Sequence, residues 1–361
     1  MARFFIVPAS LKNRRPVTWR DQASITVRRK GRQVLRVSRK TFRYALVLCG
    51  AAGVALLSLA FARLAEMALE WNARWTQAAP WAALFVIPAA MAGLRWLTMK
   101  VAPLARGSGI PQVIAATSLP APLAASGLVS LMQALWKIPL TALALLAGAS
   151  VGREGPSVQV GAAAMLGWGR WWQERFGVRL RFRTSELIAA GAAGGLAAAF
   201  NTPLAGVVFA IEELGRSAEV RWNRLALSGV LASGFIALAI AGDNPYFHVA
   251  AKAGFAQGSW GWTLASGILN GALGGLFATM LLRGARGLAP ARWRDWIDGH
   301  PIRVAAIAGV VVAVLGLLTG GATYGTGYAQ TAALLNGQPI ESAWFGIAKW
   351  LASVVSYVCG I

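Results

Sequence analysis

The sequence predicts an all-α, multi-span membrane protein with broken and tilted helices, and three observations carry that prediction. Of its 361 residues 57% are hydrophobic and only 13% are charged, and the mean hydropathy is +0.55, well outside a soluble globular domain. Residues 44–62, 107–136, 187–211, 225–242, 253–282 and 304–340 contain no Asp, Glu, Lys or Arg, and several of these stretches are long enough to cross a bilayer as one helix. The stretches 107–136 and 304–340 exceed one simple span and are interrupted by Gly and Pro. Lipid tolerates such breaks only where protein or a water-filled cavity satisfies the backbone, so they point toward a transport site.

The elements follow in order. Residues 1–43 carry thirteen Lys or Arg beside the first apolar run. By the positive-inside rule this places the N-terminus in the cytoplasm, with anionic lipid headgroups as the partner of the charge. The net charge of +22 therefore marks a membrane surface and not a nucleic-acid-binding protein. The segment is too long and too basic for an ordinary signal peptide, and no small-residue cleavage site follows a short apolar core. Spanning helices are expected at about 44–70 and 80–100, then shorter elements between 107 and 211. Residues 170–183, with Trp171, Trp172, Arg175, Arg179 and Arg181, read as a cytoplasmic-side connection with interfacial anchors, as do residues 216–224. A connection over 283–303, with five arginines, Trp293 and Trp296, separates a first membrane block (44–282) from a later part (283–361). Two structural halves are expected, although the letters alone show no repeat. The Gly-rich run 320–328 is either a loop or the later half's helix interruption.

Cofactor and metal chemistry find no support. Cys49 and Cys359 lie in or beside apolar segments and read as small buried hydrophobes. His248 and His300 are isolated, without metal-ligand spacing. Ser108 has no partner for triad chemistry, so an enzyme is the weakest reading.

Three sites carry chemistry. In Gly152-Arg153-Glu154-Gly155-Pro156, a carboxylate sits at membrane depth, where an ionised group costs roughly 2.5 kcal/mol or more. Gly152 and Gly155 leave the backbone uncovered, and Pro156 suits the first turn of a helix starting at Glu154. A helix N-terminus attracts an anion, and Glu154 is itself an anion able to occupy that place. The structural alternative pairs Glu154 with Arg153, an awkward geometry for adjacent residues. In Gly107-Ser108-Gly109-Ile110-Pro111, Ser108 stands where an N-cap would sit and Pro111 in the first turn, making a neutral anion cradle or a simple cap. In Asn201-Thr202-Pro203, Pro203 opens a helix whose far end carries Glu212 and Glu213. That end is unfavourable for negative charge, so the pair either relays protons or faces arginines such as Arg216.

Together, residues 107–111, residues 152–156 and the run GAAGGLAAAFNTPLAGVVFAIEE (191–213) resemble the chloride channel and chloride/proton antiporter family, with YGTGY (324–328) similar to bacterial members. The resemblance implies the inverted-repeat chloride channel fold. It makes Ser108 a ligand of the central anion, with backbone from Gly109 and Ile110, and Glu154 the external gating glutamate that carries the proton. Glu213 matches the internal proton-transfer glutamate, which the family's antiporters tend to keep and its channels replace. Ser108 favours chloride over nitrate or fluoride. The family's Gly-x-Phe-x-Pro motif and later Tyr, which complete the anion site, do not follow before Ile361, so the second half reads as incomplete. The reading is voltage-independent chloride/proton exchange across a bacterial-type inner membrane, with a homodimer contact through residues 204–214 and 225–241. A passive chloride channel and a non-transporting remnant stay open beside it.

Overall fold

The structure, a computed structural model, describes residues 19–119, 127–176, 183–215, 224–243, 247, 259–339 and 342–360. Among the described residues there is no strand. Contacts divide the chain into two units, Met1–Leu46 and Val47–Ile361.

Helix α1 (Trp19–Ala78) is longer than the expected 44–70. Its N-terminal extension takes in the basic residues from Trp19 onward, and towards its other end Arg63 pairs with Glu66 at 3.3 Å and Arg74 with Glu70 at 3.8 Å, at spacings that make neighbours on a helix surface. A tight turn at Pro80–Ala82 leads into α2 (Ala83–Val101). The long apolar stretch then breaks, as its Gly and Pro require, into α3 (Ile110–Ser118) and α4 (Leu131–Ala147). After these come α5 (Glu154–Phe176), α6 (Thr184–Ala199), α7 (Pro203–Phe209) continued by a π-turn at Ala210–Leu214, and α8 (Arg224–Ala241). The later elements are α9 (Ser259–Leu288), broken at Gly284, α10 (Ala291–Gly299), α11 (Pro301–Leu318), α12 (Tyr328–Leu335) and α13 (Phe345–Val358). By length and composition, five segments among the described residues can cross a membrane: Thr41–Ala78, Pro80–Val101, Arg224–Ala241, Trp260–Leu288 and Pro301–Leu318. The other over-long charge-free stretch, 304–340, is likewise broken, between α11 and α12.

The core is packed through small residues. Helices α5 and α6 are in such close contact that a Cβ on Gly195 would lie 2.5 Å from the Ser157 carbonyl, and Gly161 and Gly191 face each other in the same seam. Association in lipid relies on this kind of backbone approach, since burying apolar side chains there gains nothing over leaving them in hydrocarbon. A buried hydrogen bond from Ser233 Oγ to the Gly194 carbonyl (2.9 Å) adds α8 to the pair. Against α2, α11 packs closely, with Gly309 on Pro88.

Two connections differ from expectation. Trp171, Trp172 and Arg175 stand on the last turns of α5, where Trp168, Trp171, Trp172 and Phe176 stack and meet edge to face; Arg179, Arg181 and Arg216 lie outside the described residues. Residues 283–303 are largely helical, formed by the end of α9, α10 and the start of α11, with Arg286 and Asp298 paired at 2.7 Å. His300 Nδ1 sits 3.0 Å from the Trp296 carbonyl, and His248 is outside the described residues. Among the described residues, no three His, Cys, Asp or Glu are grouped to hold a metal ion.

Candidate functional site

The site forms where the two Gly-rich turns meet. Before α3 the chain turns at Gly107 (φ 71°) and Gly109 (φ 94°), left-handed conformations that glycine adopts without steric cost. The cap residue is Gly109, not Ser108 as the sequence implied, because its left-handed backbone directs the Ile110 N–H back to the Ser108 hydroxyl (3.3 Å). Ile110 packs at the edge of the core, and Pro111 occupies the first turn.

Helix α5 starts at Glu154, as its Gly and Pro flanks predict, and presses on this turn. A Cβ on Gly155 would meet the Ser108 carbonyl at 2.6 Å, and one on Gly109 would meet Gln159 Oε1 at 2.7 Å. The Arg153 carbonyl accepts from both the amide (3.1 Å) and the hydroxyl (3.0 Å) of Ser157, which closes the first turn. The half-buried Glu154 folds back over Gly152, with Oε2 2.5 Å from where a Cβ there would lie. Arg153 points to α1 instead, donating to the Ala62 carbonyl and to Glu66 Oε1, both at 3.0 Å. Arg153 thus makes an ion pair between segments.

Gly107, Ser108, Lys137, Gly152, Pro156 and Tyr357 line one cavity of about 30 Å³. A cavity needs roughly 10–15 Å³ to hold one water, so this space suits a monatomic ion or a pair of waters and no organic solute. Three polar wall residues are not singled out by the sequence. Lys137, 4% exposed on α4, donates to the carbonyls of Ala105 and Gly107 immediately upstream of Ser108. Arg106 also lines the cavity, so the expected neutral cradle has a cationic wall. The signal was available: Lys137 is the single charged residue of α4, and a lone intramembrane charge is a functional candidate by default. Tyr357, on α13, sets its hydroxyl against the Gly152 backbone and in the field of the Glu154 carboxylate. No local pattern marks it.

Glu213 is elsewhere. It is half-buried in the π-turn after α7, whose Ala210 and Leu214 pack in the core with Val113 and Ala116 of α3, and it does not line the cavity. Single π-turns inside helices are frequent at functional sites.

Interrupted helices within long charge-free stretches, with turns from separate segments converging on an ion-sized cavity, mark a multi-pass membrane protein. The family model described as voltage gated chloride channel matches residues 89–361, and the chain belongs to that family. It is 32% identical over 213 residues to the H(+)/Cl(-) exchange transporter ClcA of Salmonella arizonae, a match that takes in 56% of this chain and 42% of the relative. The chain thus spans less than half the length of the curated relative it matches. The fold resembles a slow cyanobacterial Cl⁻/H⁺ antiporter, with a TM-score of 0.68 and 25% identity over 88% of this chain and 74% of that one. It also resembles a CLC-type fluoride/proton antiporter, with a TM-score of 0.64 and 22% identity over 89% of this chain and 76% of that one. The last likeness concerns the fold alone.

Proposed function

We propose that this chain exchanges chloride for protons, with Ser108, Gly109 and Ile110 holding the anion and Glu154 as gate and proton carrier. The observation that carries the reading is the meeting of Ser108 and Gly152 in the wall of one ion-sized cavity, with the Glu154 carboxylate folded over Gly152. Ionised, Glu154 competes with an anion for the helix N-terminus; protonated, it withdraws, so the occupancies of proton and anion are linked through one side chain. Gly107 and Pro111 shape the first turn, and Gly152, Arg153, Gly155 and Pro156 the second. Glu213 is the internal proton-transfer residue. Lys137 and Arg106 supply the cationic wall that attracts the anion.

The protein works in the inner membrane with its N-terminus in the cytoplasm, among lipids and with a second copy of itself as partner; the support for pairing is the exposed apolar surface of α7, its π-turn and α8, including Leu204, Ile211 and Phe235. Residues 1–43 form the basic arm, 44–282 the first membrane block and 283–361 the later part.

The deciding experiment measures proton movement driven by a chloride gradient in liposomes, with the voltage held near zero by an ionophore. Uphill proton movement is expected in the unmodified chain. Glu154→Gln is expected to abolish it while chloride flux persists. Chloride flux without proton movement in the unmodified chain favours a passive channel, and retained coupling in Glu154→Gln removes the gate assignment.

A further inference from the structure

Two turns in the chain share one construction. In the first, Gly107 (φ 71°) and Gly109 (φ 94°) flank Ser108, whose hydroxyl accepts from the Ile110 N–H at 3.3 Å as α3 begins. Lys137, from the next long helix, donates to the carbonyls of Ala105 and Gly107. In the second, Gly325 (φ 67°) and Gly327 (φ 80°) flank Thr326, whose hydroxyl accepts from the Tyr328 N–H at 3.4 Å as α12 begins. Lys349, again from the next helix, donates to the carbonyls of Thr323 (3.0 Å) and Gly325 (2.6 Å). The acceptors stand at the same offsets from the central hydroxyl in both turns, three residues and one residue before it. Lys349 is therefore the later half's counterpart of Lys137.

Lys349 does one thing more. An ammonium has three N–H donors, and its third goes to Ser150 Oγ (2.9 Å), in the segment between α4 and α5 that leads to Glu154. Ser150 is gripped further by the same helix: its amide donates to Ser356 Oγ (3.2 Å), and its hydroxyl lies 3.0 Å from Ser353 Oγ. Tyr357 closes the series on the Gly152 backbone. Lys349, Ser353, Ser356 and Tyr357 fall at i, i+4, i+7 and i+8, one face of α13. A polar stripe on an otherwise apolar helix thus holds the backbone from which the Glu154 side chain departs.

We propose that Lys349 is a positioning residue for the Glu154 gate. Its ammonium clamps the Ser150 segment to the Gly325–Gly327 turn, so that the stance of the gate over the Ser108 cavity depends on a charge contributed by the later half. The inference rests on reading Glu154 as the gate, but the clamp itself is testable without transport.

The experiment compares the full unmodified chain with Lys349→Met and Lys349→Arg, by hydrogen–deuterium exchange in nanodiscs and by chloride flux in liposomes. Lys349→Met is expected to speed amide exchange about tenfold in peptides covering 149–153 and 323–328, as the loss of hydrogen bonds holding both turns implies. Peptides from the α5–α6 seam should stay unchanged. Chloride flux should fall about tenfold, and Lys349→Arg, which keeps charge and donors, should restore both readouts to within about twofold. Unchanged exchange at 149–153 in Lys349→Met overturns the proposal. So does acceleration spread evenly through the chain, which would make Lys349 a general packing residue, and so does a Lys349→Arg variant that behaves like Lys349→Met. If the unmodified chain moves neither chloride nor protons, the transport reading fails, while the exchange comparison still decides the clamp.

Discussion

Gly155→Ala adds a single methyl group at the point where α5 touches the Ser108 turn. The new Cβ would lie 2.6 Å from the Ser108 carbonyl oxygen and 2.9 Å from its Cβ, whereas ordinary contact begins at 3.4 Å, so something must move by about 0.8 Å. Helix α5 has little room to retreat, because its Ser157 carbonyl and Gly161 already rest on the glycines of α6. The turn must therefore yield, dragging Ser108 away from the cavity and the adjoining Gly107 carbonyl away from Lys137. Overpacking of this size costs about 1–3 kcal/mol. If that strain is expressed at the anion site, chloride binds roughly 5- to 150-fold more weakly. The assay is isothermal titration of chloride into purified protein, accompanied by a thermal melt. Gly93→Ala in α2 is the control: no atom stands within 4 Å of the added methyl, so affinity should hold while helix propensity gains up to about 1 kcal/mol. A folded Gly155→Ala protein that binds chloride as the unmodified chain does would refute the contact argument.

Other expectations concern the charged residues. Glu213→Val should reduce chloride-driven proton movement at least about tenfold and spare anion flux; a variant that still moves protons transfers the role to Glu212 or to water. Lys137→Met leaves the buried Ala105 and part-buried Gly107 carbonyls without this donor, at a cost of about 1–3 kcal/mol, and should weaken chloride binding about tenfold in the same titration. Unaltered affinity there would remove Lys137 from the site.

What the sequence reveals here is its punctuation. The starts of α3, α5 and α7 are legible because Gly and Pro act through backbone geometry within a few residues, and Ser108 and Glu154 are legible through the same motifs. The site's remaining walls are not. Lys137 meets the Gly107 carbonyl across 30 positions, and Lys349 meets Ser150 across 199, contacts that only helix packing creates. Tyr357 sits in an apolar helix where nothing distinguishes it from a lipid-facing aromatic residue. The likeness of the two turns is half-legible: Gly-Ser-Gly and Gly-Thr-Gly both set a hydroxyl residue between glycines of positive φ, but the lysine that grips each turn is remote in sequence. The far end of α1 is less legible, because charges such as Glu70 and Arg74 look like an interface until their pairing is seen.

The π-turn at Ala210–Leu214 has a consequence for the aim of Glu213. A π-turn holds one residue more than the α-helical turn it replaces, and each residue on an α-helix advances the azimuth by about 100°. Were the segment to relax to regular α-helix, the residues beyond the bulge would rotate by about that angle, and Glu213, next to last in the π-turn, would swing with them through part of it. Its bearing is thus set by winding as well as by sequence position, and one inserted residue acts as the setscrew.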